Sequence, residues 1–405
     1  MSAKKSNYYF DLEKKYNAHN YHSLPVVLKK GRGVFVWDVE KKKYYDFLSA
    51  YSAVNHGHCH PKIIKTLIKQ SQQLTLSSRA FYNNVLGEYA EFITKYFGYD
   101  KVLPMNTGVE AVETALKLCR KWAYAIKGID KNKAKIIVCE NNFHGRTTGV
   151  ISFSTDPSAK KHYGPFAPGF IVIPYNDLQA LQTALMDNTV AGFLVEPIQG
   201  EAGVIVPDES YLSKAKKYCE DANVLFIADE IQTGLCRTGK MLCCDHENVK
   251  PDILILGKAL SGGTLPVSAV LANDTIMLTI KPGEHGSTYG GNPLACKVAI
   301  VALQLLKKEK MAENSQELGE IFRSELNKIS SPHIAAVRGK GLFNAIEIKH
   351  QDKDAAWKLC LELKENGLLA KPTHGDKIRF SPPLIITKKQ ILESIGIIKK
   401  SMRIL

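Results

Sequence analysis

The chain has 405 residues, of which 45% are hydrophobic and 23% are charged, and its formal net charge at pH 7 is +14. This composition is typical of a globular protein, and the length predicts two or more packed units rather than one simple core. No apolar stretch approaches the roughly 18 residues of a membrane span, and the lysines form short, dispersed groups, so we expect neither a membrane protein nor a nucleic-acid-binding protein.

The cysteines and the first residues of the chain bear on its cellular location. Nine cysteines without a CxxC pair, in a long chain, indicate reduced thiols in an intracellular compartment. The first twenty residues have neither the apolar core of a secretion signal nor the arginine-rich, acid-poor pattern of a transit peptide. We therefore expect a cytosolic protein. A mitochondrial location would require that a transit peptide has been removed.

The N-terminal part of the chain is expected to be irregular, with a short hairpin at residues 33–47. The run HGHCH that starts at His56 contains metal-binding residue types. It lacks the paired spacing of a zinc site, and Pro61 directly after it is predicted to begin a helix. We therefore expect no metal at this run.

Short apolar runs alternate with amphipathic stretches from about residue 100 to 290. This alternation predicts an α/β fold with a mostly parallel sheet between helices, in which functional residues follow the C-terminal ends of strands. The predicted strands are residues 135–139, 191–195, 224–228, 253–256 and 269–272. After residue 293 a long helical stretch leads into shorter strands, which predicts a smaller α+β domain. The expected division is an N-terminal segment, 1–51, a large domain, 52–293, and a small domain, 294–405.

One predicted helix start has the features of an anion site. Thr107 and Glu110 have the spacing of a capping box, which places the helix start between them. Gly108 permits close backbone approach there, so the first free N–H groups could hold a phosphate. A capped helix without a ligand is the commoner interpretation of such a motif.

Two loops further along the chain could also contact a ligand. Phe143 and Arg146, after the strand at 135–139, provide a ring for stacking and a guanidinium for a carboxylate. A glycine-rich loop at residues 285–293 offers hydroxyl groups, including that of Thr288, to a second phosphate contact. Its alternative role is an interdomain turn.

A carboxylate and a lysine follow two buried strands. Asp229 comes directly after a hydrophobic run and needs a cationic partner, such as a protonated pyridine nitrogen. A helix cap or a metal ligand would explain it equally well. Lys258 ends another apolar strand in a glycine-rich turn, where desolvation would lower its pKa and make it a nucleophile. Taken alone, it is better explained as an ordinary lysine at a strand end.

In this order and spacing, the motifs resemble those of the class III aminotransferases of the aspartate-aminotransferase fold, and most closely the ornithine branch of that family. The resemblance extends from about residue 18 to the C-terminus. The segments that carry it are AHNY ending at Tyr21, VEPIQGEAGV from Val195, FIADEIQTG from Phe226, IKPGEHGSTYGGNP from Ile280 and RGKGL from Arg338.

The resemblance implies pyridoxal 5'-phosphate as cofactor and a homodimer as the smallest complete enzyme. Lys258 would hold the cofactor as a Schiff base and move the proton during transamination, and Asp229 would pair with the ring nitrogen. The remaining implied cofactor contacts are Gln232 at the ring hydroxyl, Phe143 stacked on the ring, Gly108 and Val109 at the phosphate, and Thr288 at the phosphate of the neighbouring subunit.

The resemblance also implies the reaction, in which the δ-amino group of L-ornithine passes to 2-oxoglutarate by a ping-pong mechanism. The products are glutamate and glutamate 5-semialdehyde, which cyclises to pyrroline-5-carboxylate, so the enzyme would serve arginine and proline metabolism. Tyr21 and Arg146 would bind the α-carboxylate of ornithine, and Tyr51 would shape the pocket. Glu201 would neutralise Arg379 while ornithine reacts and release it to grip 2-oxoglutarate.

Two alternatives remain open at this point. His144 stands where ornithine enzymes often have tryptophan and acetylornithine enzymes have histidine, so an acetylornithine or 4-aminobutyrate aminotransferase of the same family is the nearest rival. A non-catalytic binding protein on the same fold is the remote one, because such proteins usually lose the lysine that this chain retains.

Overall fold

The computed structural model describes residues 5–405. Residues 1–4 of the predicted N-terminal segment lie outside the described residues. The strands are β1 (Leu28–Arg32), β2 (Phe35–Asp38), β3 (Lys43–Asp46), β4 (Lys101–Met105), β5 (Lys135–Cys139), β6 (Phe170–Ile173), β7 (Val190–Val195), β8 (Leu225–Asp229), β9 (Ile253–Leu256), β10 (Ser268–Ala272), β11 (Ile334–Lys340), β12 (Phe343–Ile348), β13 (Leu368–Leu369), β14 (Lys371–Thr373) and β15 (Lys377–Phe380).

Helices separate most of these strands. They are α1 (Lys5–Tyr16), α2 (Ser49–Ser52), α3 (Pro61–Ser71), α4 (Asn84–Phe97), α5 (Gly108–Trp122), α6 (Thr148–Ile151), α7 (Pro157–Lys160), α8 (Leu178–Leu185), α9 (Tyr211–Asp221), α10 (Asp274–Met277), α11 (Pro293–Lys308), α12 (Met311–Asn327), α13 (Ala355–Glu365) and α14 (Lys388–Ser401). Among residues 5–405, none combines the length and hydropathy that a bilayer crossing requires.

The largest sheet has the strand order β4-β10-β9-β8-β7-β5-β6. Its neighbours from β9 to β6 are parallel, whereas β10 runs antiparallel to both β9 and β4. Helices cover both faces: Ile136 and Val138 of β5 pack into one buried cluster with α5, and Ile137 into another with α8 and α9. Because both faces are covered, these strands are continuous apolar runs. The predicted mostly parallel sheet between helices is confirmed.

Two smaller sheets complete the fold. One, β11-β12-β15-β14, lies within residues 334–380, and the other joins β1, β2 and β3 to the short strand β13. The parallel pairing of β13 with β3 ties the N-terminal segment to the C-terminal part of the chain. The division at residues 51 and 293 stays a prediction. Because of this shared sheet, the N-terminal segment is not structurally separate from the C-terminal part of the chain.

The N-terminal segment is more regular than expected. The predicted hairpin is present as β2 and β3, but α1 precedes it where the sequence predicted an irregular arm. The α1 sequence, KSNYYFDLEKKY, has no Gly or Pro to stop a helix, yet none of its side chains is buried. It lacked the apolar periodicity that identifies most helices, because that periodicity arises only when one face is buried.

The histidines of the HGHCH run have protein partners. His56 hydrogen-bonds through Nε2 to the Ala302 carbonyl, and the Nε2 atoms of His58 and His60 face carboxylates. The helix α3 begins at Pro61, as predicted. Within residues 5–405, no group of three or more His, Cys, Asp or Glu side chains is arranged to hold a metal ion.

Candidate functional site

A cavity of about 250 Å³ lies where strands of the large sheet end. Every segment that lines it follows the C-terminal end of β4, β5, β7, β8 or β9. In a parallel sheet these ends meet at one edge, so residues far apart in sequence come together there. The lining residues are Gly108, Val109, Phe143, His144, Gly145, Glu196, Asp229, Ile231, Gln232, Thr233 and Lys258.

Lys258 enters this cavity directly after the fully buried strand β9. Its backbone is in the left-handed region, with a φ of 41°, which is unfavourable for a residue with a side chain. Such strain persists only where the surrounding structure enforces it, and it is found mainly at functional sites. Burial lowers the pKa of the Lys258 amine, although the charges of Glu201 and Asp229 oppose that shift. A neutral amine is a nucleophile and a proton acceptor.

Asp229 forms a buried ion pair with His144. Its Oδ2 lies 2.6 Å from Nδ1 of His144, and the two side chains are only 5% and 1% exposed. Its Oδ1 accepts a hydrogen bond from the Ile231 N–H at 3.1 Å. Burial alone would lower the pKa of His144, but the hydrogen bond and charge of Asp229 outweigh it, so the pKa is raised. His144 therefore fixes the position of the Asp229 carboxylate at the cavity.

Glu196 lies beside this pair at the end of β7. Its Oε1 accepts a hydrogen bond from the Phe143 N–H at 2.8 Å, which fixes the loop after β5. Burial raises the pKa of Glu196 to about 7. Sequence reasoning assigned no role to Glu196 or His144. Their positions just beyond β7 and β5 were the available signal, because the same rule had already identified Asp229 and Lys258.

The helix α5 presents its N-terminus to the cavity. Thr107 and Glu110 form the predicted capping box, with Thr107 Oγ1 accepting from the Glu110 N–H at 3.3 Å. Gly108 begins the helix, and a Cβ there would lie 3.1 Å from Cδ1 of Ile231. A side chain at this position would therefore crowd the cavity wall. The exposed N–H groups and the positive end of the helix dipole can hold a phosphate.

These residue types fit pyridoxal phosphate. A flat aromatic ring requires apolar faces, which Phe143 and Ile231 offer, and its protonated nitrogen requires a buried carboxylate, which is Asp229. The phosphate requires unpaired N–H groups, as at the α5 N-terminus. The aldehyde requires a deprotonatable amine, as at Lys258.

A larger cavity of about 780 Å³, here called the outer cavity, adjoins this site and is lined by the substrate residues expected from the sequence. Tyr21, Tyr51, Arg146, Glu201 and Arg379 all line it. Arg379 Nη1 lies 2.6 Å from Glu201 Oε1, and the arginine side chain is only 4% exposed. Burial would raise the pKa of Glu201, but the charge and hydrogen bond of Arg379, together with the Lys258 charge and a hydrogen bond from Gln232, lower it. The predicted ion pair is present.

Tyr51 is carried by an unusual backbone. All four residues of α2 have positive φ values, between 47° and 71°, so this turn is left-handed. For residues other than glycine such a conformation costs about 1–2 kcal/mol each. The turn places the Tyr51 ring beneath the Arg379 guanidinium, whose carbon lies 5.4 Å from the ring centroid.

One expected cofactor residue lies apart from the others. Thr288 is exposed and lines neither cavity of its own chain. Its neighbour Ser287 is held by Asn106, whose Nδ2 donates to Ser287 Oγ at 2.9 Å. The loop is thus attached to the residue that precedes the α5 cap. Gln232, in contrast, lines the cavity of about 250 Å³ that contains Lys258 and Asp229.

The chain is similar over nearly its whole length to known proteins. A family model described as aminotransferase class-III matches residues 16–402. The chain is 63% identical over 397 residues to "Ornithine aminotransferase, mitochondrial" of Rattus norvegicus, covering 98% of this chain and 90% of that relative. It is 55% identical over 402 residues to "Ornithine aminotransferase" of Plasmodium falciparum (isolate 3D7), covering 99% and 97%.

Solved structures give the same picture. The ornithine aminotransferase from Toxoplasma gondii ME49 superposes with a TM-score of 0.97 at 49% identity, covering 100% of this chain and 96% of that one. An acetylornithine aminotransferase from Elizabethkingia anophelis superposes with a TM-score of 0.91 at 58% identity, covering 99% of each chain.

Proposed function

The chain belongs to the class III aminotransferase family, and from that premise we propose that it transfers the δ-amino group of L-ornithine to 2-oxoglutarate. The protein is a transaminase that uses pyridoxal phosphate. The products are glutamate and glutamate 5-semialdehyde, which cyclises to pyrroline-5-carboxylate. The observation that carries this proposal is the buried ion pair between Arg379 and Glu201 in the substrate cavity.

The cofactor, when bound, supplies an aldehyde that accepts amino groups and a protonated ring that withdraws electrons from the reacting carbon. Asp229 would pair with the protonated ring nitrogen, and His144 holds that carboxylate in position. Lys258 would hold the cofactor through its side-chain amine, and the amine, once freed, would move the proton at the reacting carbon. Phe143 and Ile231 cover the faces of the ring and exclude water.

The remaining cofactor contacts are assigned in the same way. The N–H groups of Gly108 and Val109 hold the phosphate, and Gln232 donates to the ring hydroxyl. Thr288 reaches the phosphate of a neighbouring subunit, which requires a homodimer. The support for the last assignment is that Thr288 is exposed and lies away from its own cavity.

Ornithine is distinguished from other donors by its free α-carboxylate and its distant δ-amine. Tyr21 and Arg146 bind the carboxylate at the outer end of the cavity, so that the δ-amine points toward Lys258. Glu201 neutralises Arg379 during this half-reaction, so that the buried guanidinium does not attract the wrong carboxylate. When 2-oxoglutarate enters, Arg379 leaves Glu201 and binds the α-carboxylate, and Arg146 binds the distal one.

N-acetylornithine is the second candidate donor. Two observations favour it: His144 is the residue common in acetylornithine enzymes, and the chain is 58% identical to a structure of that name. The contact between His144 and Asp229 lies at the cofactor, however, and not in the substrate cavity.

A donor panel tests the proposal. Initial rates with 2-oxoglutarate are measured for ornithine, N-acetylornithine and 4-aminobutyrate, with pyrroline formation as a second readout for ornithine. We expect kcat/KM to be highest for ornithine, and Lys258→Ala to remove turnover with every donor. A higher kcat/KM for either of the other amines would refute the assignment.

The cytosolic location also stays a prediction, since the rat relative is named mitochondrial. Fractionation of cells that express the protein would check it.

A further inference from the structure

A second cation lies beside Arg379 in the substrate cavity. Strands β14 and β15 are antiparallel, and their register places Lys371 directly opposite Arg379. Directly opposed residues of an antiparallel pair project from the same face, with Cβ atoms about 5 Å apart. Both side chains line the outer cavity. Thr373, two residues along β14, also faces this way, since its Oγ1 donates to the Glu201 carbonyl at 2.6 Å.

The cavity does not neutralise both cations. Glu201 is the carboxylate that lines it, and Glu201 is paired with Arg379. The ammonium of Lys371 lies 5.9 Å from the centroid of the Tyr21 ring and forms none of the ion pairs found within residues 5–405. Like charges directly opposite each other on two strands are destabilising. A cation that forms no ion pair, lies opposite a second cation and faces a cavity therefore indicates a bound anion.

Burial makes this cation more effective. Lys371 is half-buried, and partial burial followed by the charge of Arg379 lowers its pKa. A carboxylate near its Nζ would relieve both effects and would be attracted more strongly than at the open surface. The position of the ammonium over the Tyr21 ring places this attraction beside a residue proposed to bind the α-carboxylate of ornithine.

We propose that Lys371 binds the substrate carboxylate farthest from the reacting nitrogen, together with Tyr21 and Arg146. This inference rests on the proposed function, because it takes ornithine and 2-oxoglutarate as the two substrates. In both half-reactions a carboxylate occupies the same outer position, the α-carboxylate of ornithine and the distal carboxylate of 2-oxoglutarate. Lys371 is therefore a specificity residue for both substrates, whereas Arg379 serves only the second.

The test uses Lys371→Gln, which removes the charge and retains a polar side chain. A contact made equally before and during reaction changes KM and leaves kcat nearly unchanged. We expect KM to rise roughly 10- to 100-fold for both ornithine and 2-oxoglutarate, the loss typical of a hydrogen bond between charged groups. Lys371→Arg should recover most of the affinity. Lys389→Gln, which removes the same charge from an exposed position on α14, should behave as wild type.

A donor without the carboxylate isolates the contact. 1,4-Diaminobutane has the reacting amine and chain of ornithine but no carboxylate, so Lys371→Gln should not raise its KM relative to the wild type. Equal losses with ornithine and 1,4-diaminobutane would overturn the proposal, because they would indicate a general distortion of the site. An unchanged KM for 2-oxoglutarate would also overturn it.

Stability provides a separate readout. If Lys371 only supported the fold, Lys371→Gln would unfold at a lower temperature. Because the replacement removes a like charge opposite Arg379, we expect the substrate-free variant to unfold at the same or a higher temperature. If the wild type prefers another amine in the donor panel, ornithine is refuted as the donor. The KM of Lys371→Gln for 2-oxoglutarate tests the role of Lys371 separately.

Discussion

The ion pair between His144 and Asp229 allows the most quantitative prediction. His144→Phe keeps an aromatic side chain of similar size but removes the cation and the donor beside the carboxylate. The pair is almost fully buried, with a separation of 2.6 Å. Removing one partner of such a pair leaves a buried charge without compensation, which costs about 3–5 kcal/mol. We expect this loss in the cofactor-free protein, and a smaller one when pyridoxal phosphate supplies another cation to Asp229.

The sign of the pH dependence follows from the direction of the pKa shift. The pKa of His144 is raised above its usual 6.5, against the effect of burial and because of Asp229. The pair therefore contributes its full stability below about pH 6.5 and loses it as the pH rises through the folded-state pKa. The difference in unfolding free energy between wild type and His144→Phe should accordingly shrink as the pH rises.

Urea denaturation of the cofactor-free protein at several pH values between 6 and 9 measures this difference. His60→Phe is the matched control, because His60 faces Glu309 at 3.3 Å in a pair that is 29% exposed on the glutamate side, away from the cavity. We expect the control to lose about 1 kcal/mol or less from that pair. Equal unfolding free energies for wild type and His144→Phe at pH 6, or a difference that grows with pH, would refute the reasoning.

Three further predictions concern the same site. Lys258→Ala should lower kcat by several orders of magnitude and remove the visible absorbance of lysine-bound cofactor, since it deletes both the nucleophile and the proton carrier; measurable turnover in this variant would contradict the role of Lys258. Glu201→Gln should raise KM for ornithine more than for 2-oxoglutarate, because Arg379 is then permanently free; a similar change in both KM values would argue against a switching role. Gly145→Ala should lower the free energy of unfolding by about 2–4 kcal/mol, because the glycine has a φ of 123° and a Cβ would lie 2.4 Å from Cγ2 of Val109. The control Gly283→Ala, at a glycine with a φ of 87° and no atom within 4 Å of the added Cβ, should lower it by about 1 kcal/mol.

Much of the central fold followed from local pattern. The strands at 135–139 and 253–256 begin and end where the sequence predicted, because residues 136–139 and 253–256 are apolar runs that are buried on both faces. The strands β4 and β6 were not predicted. β4 contains Pro104 and begins with a lysine, so it is not the continuous apolar run that the sequence criterion required, whereas β6, with the sequence FIVI, is such a run and was missed.

The candidate site divides in the same way. Asp229 and Lys258 were identified because a charged residue directly after a buried strand is conspicuous in the sequence. His144 and Glu196 also follow strands, but their importance arises from each other and from Asp229, across separate strands. Lys371 is one of many lysines, and only the register of β14 against β15 distinguishes it.

The sequence by itself determined which segments are strands and helices in the centre of the chain, and which residue types stand at the strand ends. These features depend on hydrophobic periodicity and on capping within a few residues, so no distant part of the chain is needed to specify them. The tertiary structure decided which charges meet: Asp229 pairs with His144 and Arg379 with Glu201, whereas Lys371 forms no ion pair with any of residues 5–405. These two ion pairs depend on separations of a few ångströms between residues that are 85 and 178 positions apart, and only the packed fold sets those distances.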